Sequence, residues 1–202
     1  MKRKSLIFGF FLGVSLVATA QEPGPLLVDE RDGQPYPTVQ IGEQLWMAVN
    51  LNFESPGRQC YDHDAENCRL YGGLYAWEEA MEVCPAGWHL PSKEEWAQLS
   101  VFLGLKEAGQ QLKASKDDPL PWDGNNASGF RALAAGAGNG EGFHRMDDWA
   151  IFWSATENGS ERAWFAQLDG YWYPAPPKYK NLYLGSYYLK SNLFSVRCLR
   201  DK

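Results

Sequence analysis

The stretch Cys84-Pro85-Ala86-Gly87-Trp88-His89-Leu90-Pro91-Ser92-Lys93-Glu94-Glu95-Trp96 decides how the rest of the chain is read. Pro85 and Gly87 break regular structure. Pro91 moves Leu90 out of the helical region, so a new element starts after it. Ser92 and Glu95 form a capping box, in which each side chain satisfies an orphan N–H of a helix start. Trp96, Leu99, Phe102 and Leu103 then recur at helical spacing. The stretch therefore ends one helix, turns, and starts a second. Trp88 and Trp96 are expected in the core, and His89 as a hydrogen-bonded structural residue of the turn.

Working outward, Tyr71 to Val83 reads as the first helix, with Leu74, Trp77, Ala80 and Met81 on one face and Glu78, Glu79 and Glu82 in solvent. Before it, Asp32-Gly33 marks a turn. Thr38-Val39-Gln40-Ile41 and Gln44 to Ala48 flank Gly42-Glu43 as a β-hairpin. After the second helix, Gly109 to Ala114 reads as a helical turn, Asp117 to Ser128 as loop, and Gly129 to Leu133 as a short extended segment. Ala134 to Gly142, rich in Gly and Ala, reads as a surface loop. The C-terminal part changes character. Ala150 to Thr156 is a buried strand, Arg162 to Leu168 a second, and Phe194 to Arg200 the last, with Ser195 and Arg197 facing away from Phe194, Val196 and Cys198. Helices in the first half and an antiparallel meander in the second predict an α+β fold.

The 202-residue chain carries a formal charge of −6. It opens on a basic Met1-Lys2-Arg3-Lys4, an apolar run from Ser5 to Val17 and a small-x-small Ala18-Thr19-Ala20. This reads as a signal peptide, residues 1–20, cut before Gln21. No other stretch is apolar enough for a membrane span. Loss of Lys2, Arg3 and Lys4 takes the charge from −6 to −9, which argues against nucleic acid as a partner. Residues 21–202 fit one exported domain, in the periplasm, on the cell surface or outside the cell.

All four cysteines, Cys60, Cys68, Cys84 and Cys198, lie in that part. In an oxidising compartment an even number predicts disulfides. Three pairings are open; a local Cys60–Cys68 pair would leave Cys84 and Cys198 for a long-range bridge. Asp62, Asp64 and Glu66 alternate between Cys60 and Cys68 and are weak candidates for calcium, without an EF-hand pattern. No cofactor and no metal centre are expected. His63 has no ligand partner at a known spacing.

No catalytic set assembles. There is no Gly-x-Ser-x-Gly elbow and no phosphate-cradling glycine motif, and spacing singles out no carboxylate pair. The positive signal is aromatic. Trp172, Tyr173, Tyr179, Tyr183, Tyr187 and Tyr188 are interleaved with Lys178, Lys180, Asn181, Ser186 and Lys190. Tyr and Trp give large rigid contact area with a polar handle. Strand alternation turns about half of them inward. The rest, with Asn181, form the expected ligand-binding face.

Asp32-Gly33-Gln34, Trp46 to Asn52, Tyr71-Gly72-Gly73-Leu74-Tyr75-Ala76-Trp77, Cys84 to Pro91, Phe152-Trp153-Ser154-Ala155-Thr156 and Ser195-Val196-Arg197-Cys198 resemble, in order, the Fibrobacter succinogenes major paralogous domain. That resemblance covers nearly all of the mature chain. It implies an exported protein of a Gram-negative bacterium, with no established activity to carry over. A wider likeness joins the Leu90-Pro91-Ser92 helix start, the Phe-Trp-Ser strand and the Val-Arg-Cys strand. These resemble the C-type lectin-like fold and its formylglycine-generating-enzyme branch. They imply two helices packed on an antiparallel sheet, an N-terminal hairpin and a Cys84–Cys198 bridge. The lectin calcium tripeptides and the paired active-site cysteines of the enzyme branch are absent. The function expected is therefore a non-catalytic binding domain for a glycan or protein at the bacterial surface. The alternatives are an enzyme of the formylglycine-generating or glycan-active type, and a structural, fimbria-like subunit.

Overall fold

Arg197 lies at the centre of the molecule, in a computed structural model that describes residues 23–169 and 181–202. Its side chain is 0 % exposed. Nε donates to Asn50 Oδ1 at 2.7 Å, one terminal nitrogen donates to the carbonyls of Met47 (3.0 Å) and Phe130, and the other donates to the Arg131 carbonyl at 3.0 Å. None of these partners is a carboxylate. The guanidinium also stands 4.3 Å from the Phe130 ring centroid. Burial drives its pKa well below the usual value, and neighbouring Arg131 adds to the effect. The main-chain carbonyls and the ring face supply the compensating negative potential.

Around this hub the chain is mostly β. Strands β1 (Leu27–Val28) and β2 (Pro35–Tyr36) form a small ribbon. Strands β3 (Thr38–Ile41) and β4 (Gln44–Met47) form the hairpin, turning at Gly42 with φ +59°. Helix α1 (Ala65–Tyr71) follows, then β5 (Leu74–Tyr75), α2 (Trp77–Ala80), β6 (Trp88–His89), α3 (Lys93–Phe102) and α4 (Ala108–Leu112). The second half holds β7 (Ala135–Asn139), β8 (Gly142–Met146), β9 (Trp149–Glu157), β10 (Ala163–Asp169), β11 (Tyr183–Gly185), β12 (Phe194–Ser195) and β13 (Leu199–Arg200). A seven-stranded sheet runs β11-β10-β9-β12-β5, with β7 on β9 and β8 on β7; a four-stranded sheet runs β3-β4-β13-β6.

The large sheet is buried on both faces. Ile151, Trp153, Ala163 and Phe165 enter one cluster with Phe194, Tyr75 and Cys198. Ala150, Phe152, Ala166 and Leu168 enter another with Trp46, Trp96 and Phe130. This explains why β9 reads as an unbroken apolar run. Across the second cluster Trp96 stacks on Phe152 at 5.5 Å and lies 4.7 Å from Trp46.

The α+β, lectin-like arrangement of two helices on an antiparallel sheet is overturned. The described residues hold four short helices, and the sheets carry the architecture. The helix expected over Tyr71 to Val83 breaks because Gly72 takes φ +82° and Leu74–Tyr75 pair with Phe194–Ser195. Sheet pairing of the fully buried Tyr75 outweighs the helical periodicity, which leaves Met81 exposed. The surface loop expected over Ala134 to Gly142 is overturned as well. Ala135 and Ala137 are buried in β7, which pairs with both β8 and β9. Its residues are small because the space is filled. A Cβ on Gly136 would lie 2.7 Å from the Tyr61 ring and from the His144 carbonyl. The last strand splits: β12 joins the large sheet and β13 the smaller one, and Val196 to Cys198 cross between them. Trp96 is fully buried, whereas Trp88 only packs against the core edge.

Two disulfides, Cys60–Cys68 and Cys84–Cys198, take up all four cysteines. Among the described residues no helix is long and apolar enough to cross a membrane. The segments 1–20, read as a signal peptide, lie outside the described residues.

Two stability outcomes follow from this arrangement. Arg197→Met strips four acceptors, three of them buried, of their donor and is expected to cost about 3 kcal/mol or more, read by urea unfolding. A midpoint equal to wild type would refute the hub. Replacing Cys84 and Cys198 by Ala opens a loop of sequence separation 114 and should cost more than replacing Cys60 and Cys68, which are 8 apart. The long loop contributes about 4 to 5 kcal/mol in the chain-entropy account. An equal loss from both pairs in thermal unfolding would contradict that ordering.

Candidate functional site

The aromatic residues that are described come together on one face of the large sheet. Gly185 pairs with Phe165 and Tyr183 with Gln167 across β11 and β10. Residues paired in this way share a face. A Cβ at Gly185 would lie 2.4 Å from the Phe165 ring, so only glycine leaves room for that ring there. Tyr187 then meets Phe165 edge-on at 5.1 Å, Tyr188 meets it at 4.9 Å, and the two tyrosines lie 4.6 Å apart. Tyr183 is 6.2 Å from Phe165. Tyr183 and Tyr187 are 47 % and 55 % exposed, while Tyr188 is half-buried and leans on Phe194.

Strand alternation extends this face along β10 from Phe165 to Gln167 and Asp169, and along β9 to Trp149. Gln167 is buried, and its Nε2 donates to Asp169 Oδ1. Its Oε1 is sealed from solvent and accepts no hydrogen bond. Burial pushes the Asp169 carboxyl above its ordinary range, opposed by the Gln167 hydrogen bond and by Lys113 and Arg145. Lys113, itself buried, donates to the Asp169 main-chain carbonyl at 3.1 Å and pairs with Asp123. Arg145 stands 4.7 Å over the Trp149 ring. Tyr187 is pushed up to about 12, by burial first and then by Tyr188, Tyr183 and Asp169. Two exposed rings, an amide and a carboxylate thus meet in one place.

Of the residues picked out in the sequence, Tyr183, Tyr187 and Tyr188 converge here. Asn181 is exposed just before β11. Trp172, Tyr173 and Tyr179 lie outside the described residues, as do Lys178 and Lys180. Lys190 belongs to the framework: its Nζ donates to Glu157 at 2.7 Å and lies 4.1 Å from the Trp77 ring. Gln167 and Asp169 were not singled out. The signal that could have found them is the alternation Phe165, Gln167, Asp169, once the strand is carried past Leu168.

The acidic loop has other work. Asp64 caps α1 by accepting from Glu66 N, and Glu66 pairs with Arg69. Among the described residues no group of three His, Cys, Asp or Glu is placed to hold a metal ion. His63 stands edge-on to Phe143 at 5.0 Å.

His89 bridges two carboxylates, with Nδ1 at 2.6 Å from Asp201 and Nε2 at 3.0 Å from Glu95. Glu95 uses its second oxygen in the capping box with Ser92. The bridge joins β6, the start of α3 and the end of β13.

The Fibrobacter succinogenes major domain model matches residues 39–200. The chain belongs to that family. No curated protein and no solved structure matches it. Within the matched span of this Fibrobacter succinogenes major domain lie the Arg197 hub, both disulfides and the tyrosine face.

The His89 bridge predicts a pH signature. Burial alone would lower the histidine pKa, but Asp201 and Glu95 outweigh it and hold it above 6.5; burial would raise Glu95, but Ser92 and His89 hold it below 4.5. Stability from the bridge is present below the unfolded histidine value and is lost as pH rises through the raised one. It is also lost as pH falls through the lowered Glu95 value. The stability gap between wild type and His89→Gln should be widest between 4.5 and 6.5 and shrink on either side. A gap constant from pH 4 to 9 in thermal melts would exclude the bridge as its source.

Proposed function

We propose that this family member is a non-catalytic binding domain, exported from the cell, that meets its ligand through the Tyr183–Tyr187–Tyr188 face. The observation that carries this reading is the pair of exposed rings held on a buried sheet. Tyr183 and Tyr187 cannot collapse inward, because Phe165 and Tyr188 already fill the space beneath them. Rigid, half-exposed aromatic area of this kind is typical of recognition surfaces. The disulfides agree with an oxidising compartment. They also leave no free thiol for thiol-based oxidation chemistry of the formylglycine-generating kind. The ligand expected of such a face is a glycan or a protein displayed outside the cell.

The test is binding by the mature chain to a glycan array and in pull-downs from extracellular material. Tyr183→Ala and Tyr187→Ala remove largely exposed rings and should leave the melting temperature near wild type. Each is expected to weaken binding by about tenfold or more. Wild-type binding by both variants would remove the face from consideration.

A further inference from the structure

We propose that the cavity lined by Tyr71, Leu120, Pro121, Leu133, Ala134 and Asp147 is a binding site for a primary ammonium group on a short apolar stem. It shares no residue with the tyrosine face and does not rest on the reading of that face.

The first ground is a preformed space. The cavity holds about 200 Å³. An apolar cavity of about 150 Å³ takes a benzene ring, so a ring or a four-carbon chain ending in nitrogen fits here. Segments far apart in sequence frame it. Tyr71 ends α1, Leu120 and Pro121 follow α4, Leu133 and Ala134 precede β7, and Asp147 sits in the turn between β8 and β9. Hydrogen bonds fix these segments. Asp147 N donates to the Ala134 carbonyl at 2.9 Å, and Asn50 Nδ2 donates to the Tyr71 carbonyl at 2.7 Å while its Oδ1 accepts from Arg197. Walls already in place need no ordering when a ligand enters.

The second ground is an uncommitted carboxylate. Asp147 is the one charged residue of the lining, and among the described residues no ion pair or hydrogen bond engages its carboxylate. Aspartate is common in turns because its carboxylate accepts from a main-chain N–H two residues on. Asp32 and Asp64 do so, accepting from Gln34 N and Glu66 N. Asp147 holds φ +67° without such a bond. The turn therefore does not account for its charge. The arginines that flank the lining segments in sequence are engaged elsewhere, Arg131 3.8 Å from Asp118 and Arg145 3.7 Å from Asp148.

The third ground is the order of polarity. Leu133 and Ala134 are buried and Asp147 is exposed, so the apolar wall lies inside and the charge at the solvent side. Tyr71 is half-buried, and its hydroxyl makes no hydrogen bond among the described residues. Burial first, and the Asp147 charge second, raise its pKa, so at neutral pH it stays a protonated phenol with an oxygen free to accept. An ammonium has three donors and no acceptor. It answers the carboxylate and the phenol oxygen together while its stem rests on Leu133 and Ala134. An anion would meet Asp147, and a neutral ring would gain the apolar wall alone. A free monoamine and a lysyl side chain share this chemistry.

The experiment titrates the mature chain with benzylammonium, benzyl alcohol, benzoate and Nα-acetyl-lysine amide, followed by calorimetry and by amide chemical shifts. Benzylammonium and the lysine amide are expected to bind and to shift the amides of Ala134 and Asp147. Whichever of the two binds tighter identifies the source, a free amine or a protein side chain, and either order supports the site. Benzyl alcohol and benzoate should bind at least about tenfold more weakly. Asp147→Asn keeps a residue that tolerates the left-handed turn and should weaken both cations by about tenfold or more, with the melting temperature near wild type. Ala134→Leu, which fills the cavity, should weaken benzylammonium and benzyl alcohol alike. Full binding of the cations by Asp147→Asn would overturn the proposal, as would benzoate matching benzylammonium, or no shift at Ala134 and Asp147 up to about 10 mM of either cation. Tyr187→Ala should leave these titrations unchanged, so failure of the tyrosine face and failure of this cavity are read separately.

Discussion

A buried guanidinium, whose hydrogen-bond partners among the described residues include no carboxylate, holds this structure in register. Arg197 gathers the end of the hairpin at Met47, the loop at Asn50 and the irregular segment at Phe130 and Arg131. Asn50 passes the link on, donating to the Tyr71 carbonyl at the end of α1 and to Ser195 Oγ. Arg131 holds φ +51°, a conformation that L-residues rarely adopt, while its carbonyl receives the guanidinium. Three parts of the chain that share no sheet are thus fixed against one planar donor. A lysine could not serve all of them, because its donors radiate from a single nitrogen.

The neighbouring residue extends the same constraint. Cys198 ties the crossover between the two sheets to Cys84, just ahead of the Trp88–His89 strand. His89 then clamps the end of β13 to the cap of α3. Together these place Phe194 and Ser195 beside β9 and seal both faces of the large sheet. With both faces filled, β10 has nowhere to turn its polar residues. Gln167 and Asp169 end up under the tyrosines because the alternation that buries Phe165 leaves them no other side.

Much of this was readable from residue order. The capping box at Ser92 and Glu95, the hairpin turn at Gly42 and the apolar run of β9 are local signals, and each corresponds to a feature of the structure. Three tyrosines of the face were legible as a surplus of rings in a short C-terminal segment. Other features misled for identifiable reasons. Leu74, Trp77 and Ala80 are buried at helical spacing, yet the pairing of β5 with β12 depends on residues about 120 positions away, and periodicity does not register it. Ala135 to Gly138 resemble a loop because small side chains suit both loops and crowded strands. Only the Tyr61, Phe143 and Leu193 side chains pressed against them distinguish the two.

By itself the sequence determined family, the even set of cysteines and the helix and hairpin starts, since each depends on residues close together in the chain. Tertiary structure decided the rest. It replaced a two-helix arrangement with sheets, because strand pairing between distant segments outweighs local helical propensity. It turned Arg197 from one residue of a strand into the hub, because only folding brings Asn50, Met47, Phe130 and Arg131 to it. It also placed Gln167 and Asp169 beside Tyr183 and Tyr187, because the register of β10 against β11, and not distance along the chain, determines which side chains share a face.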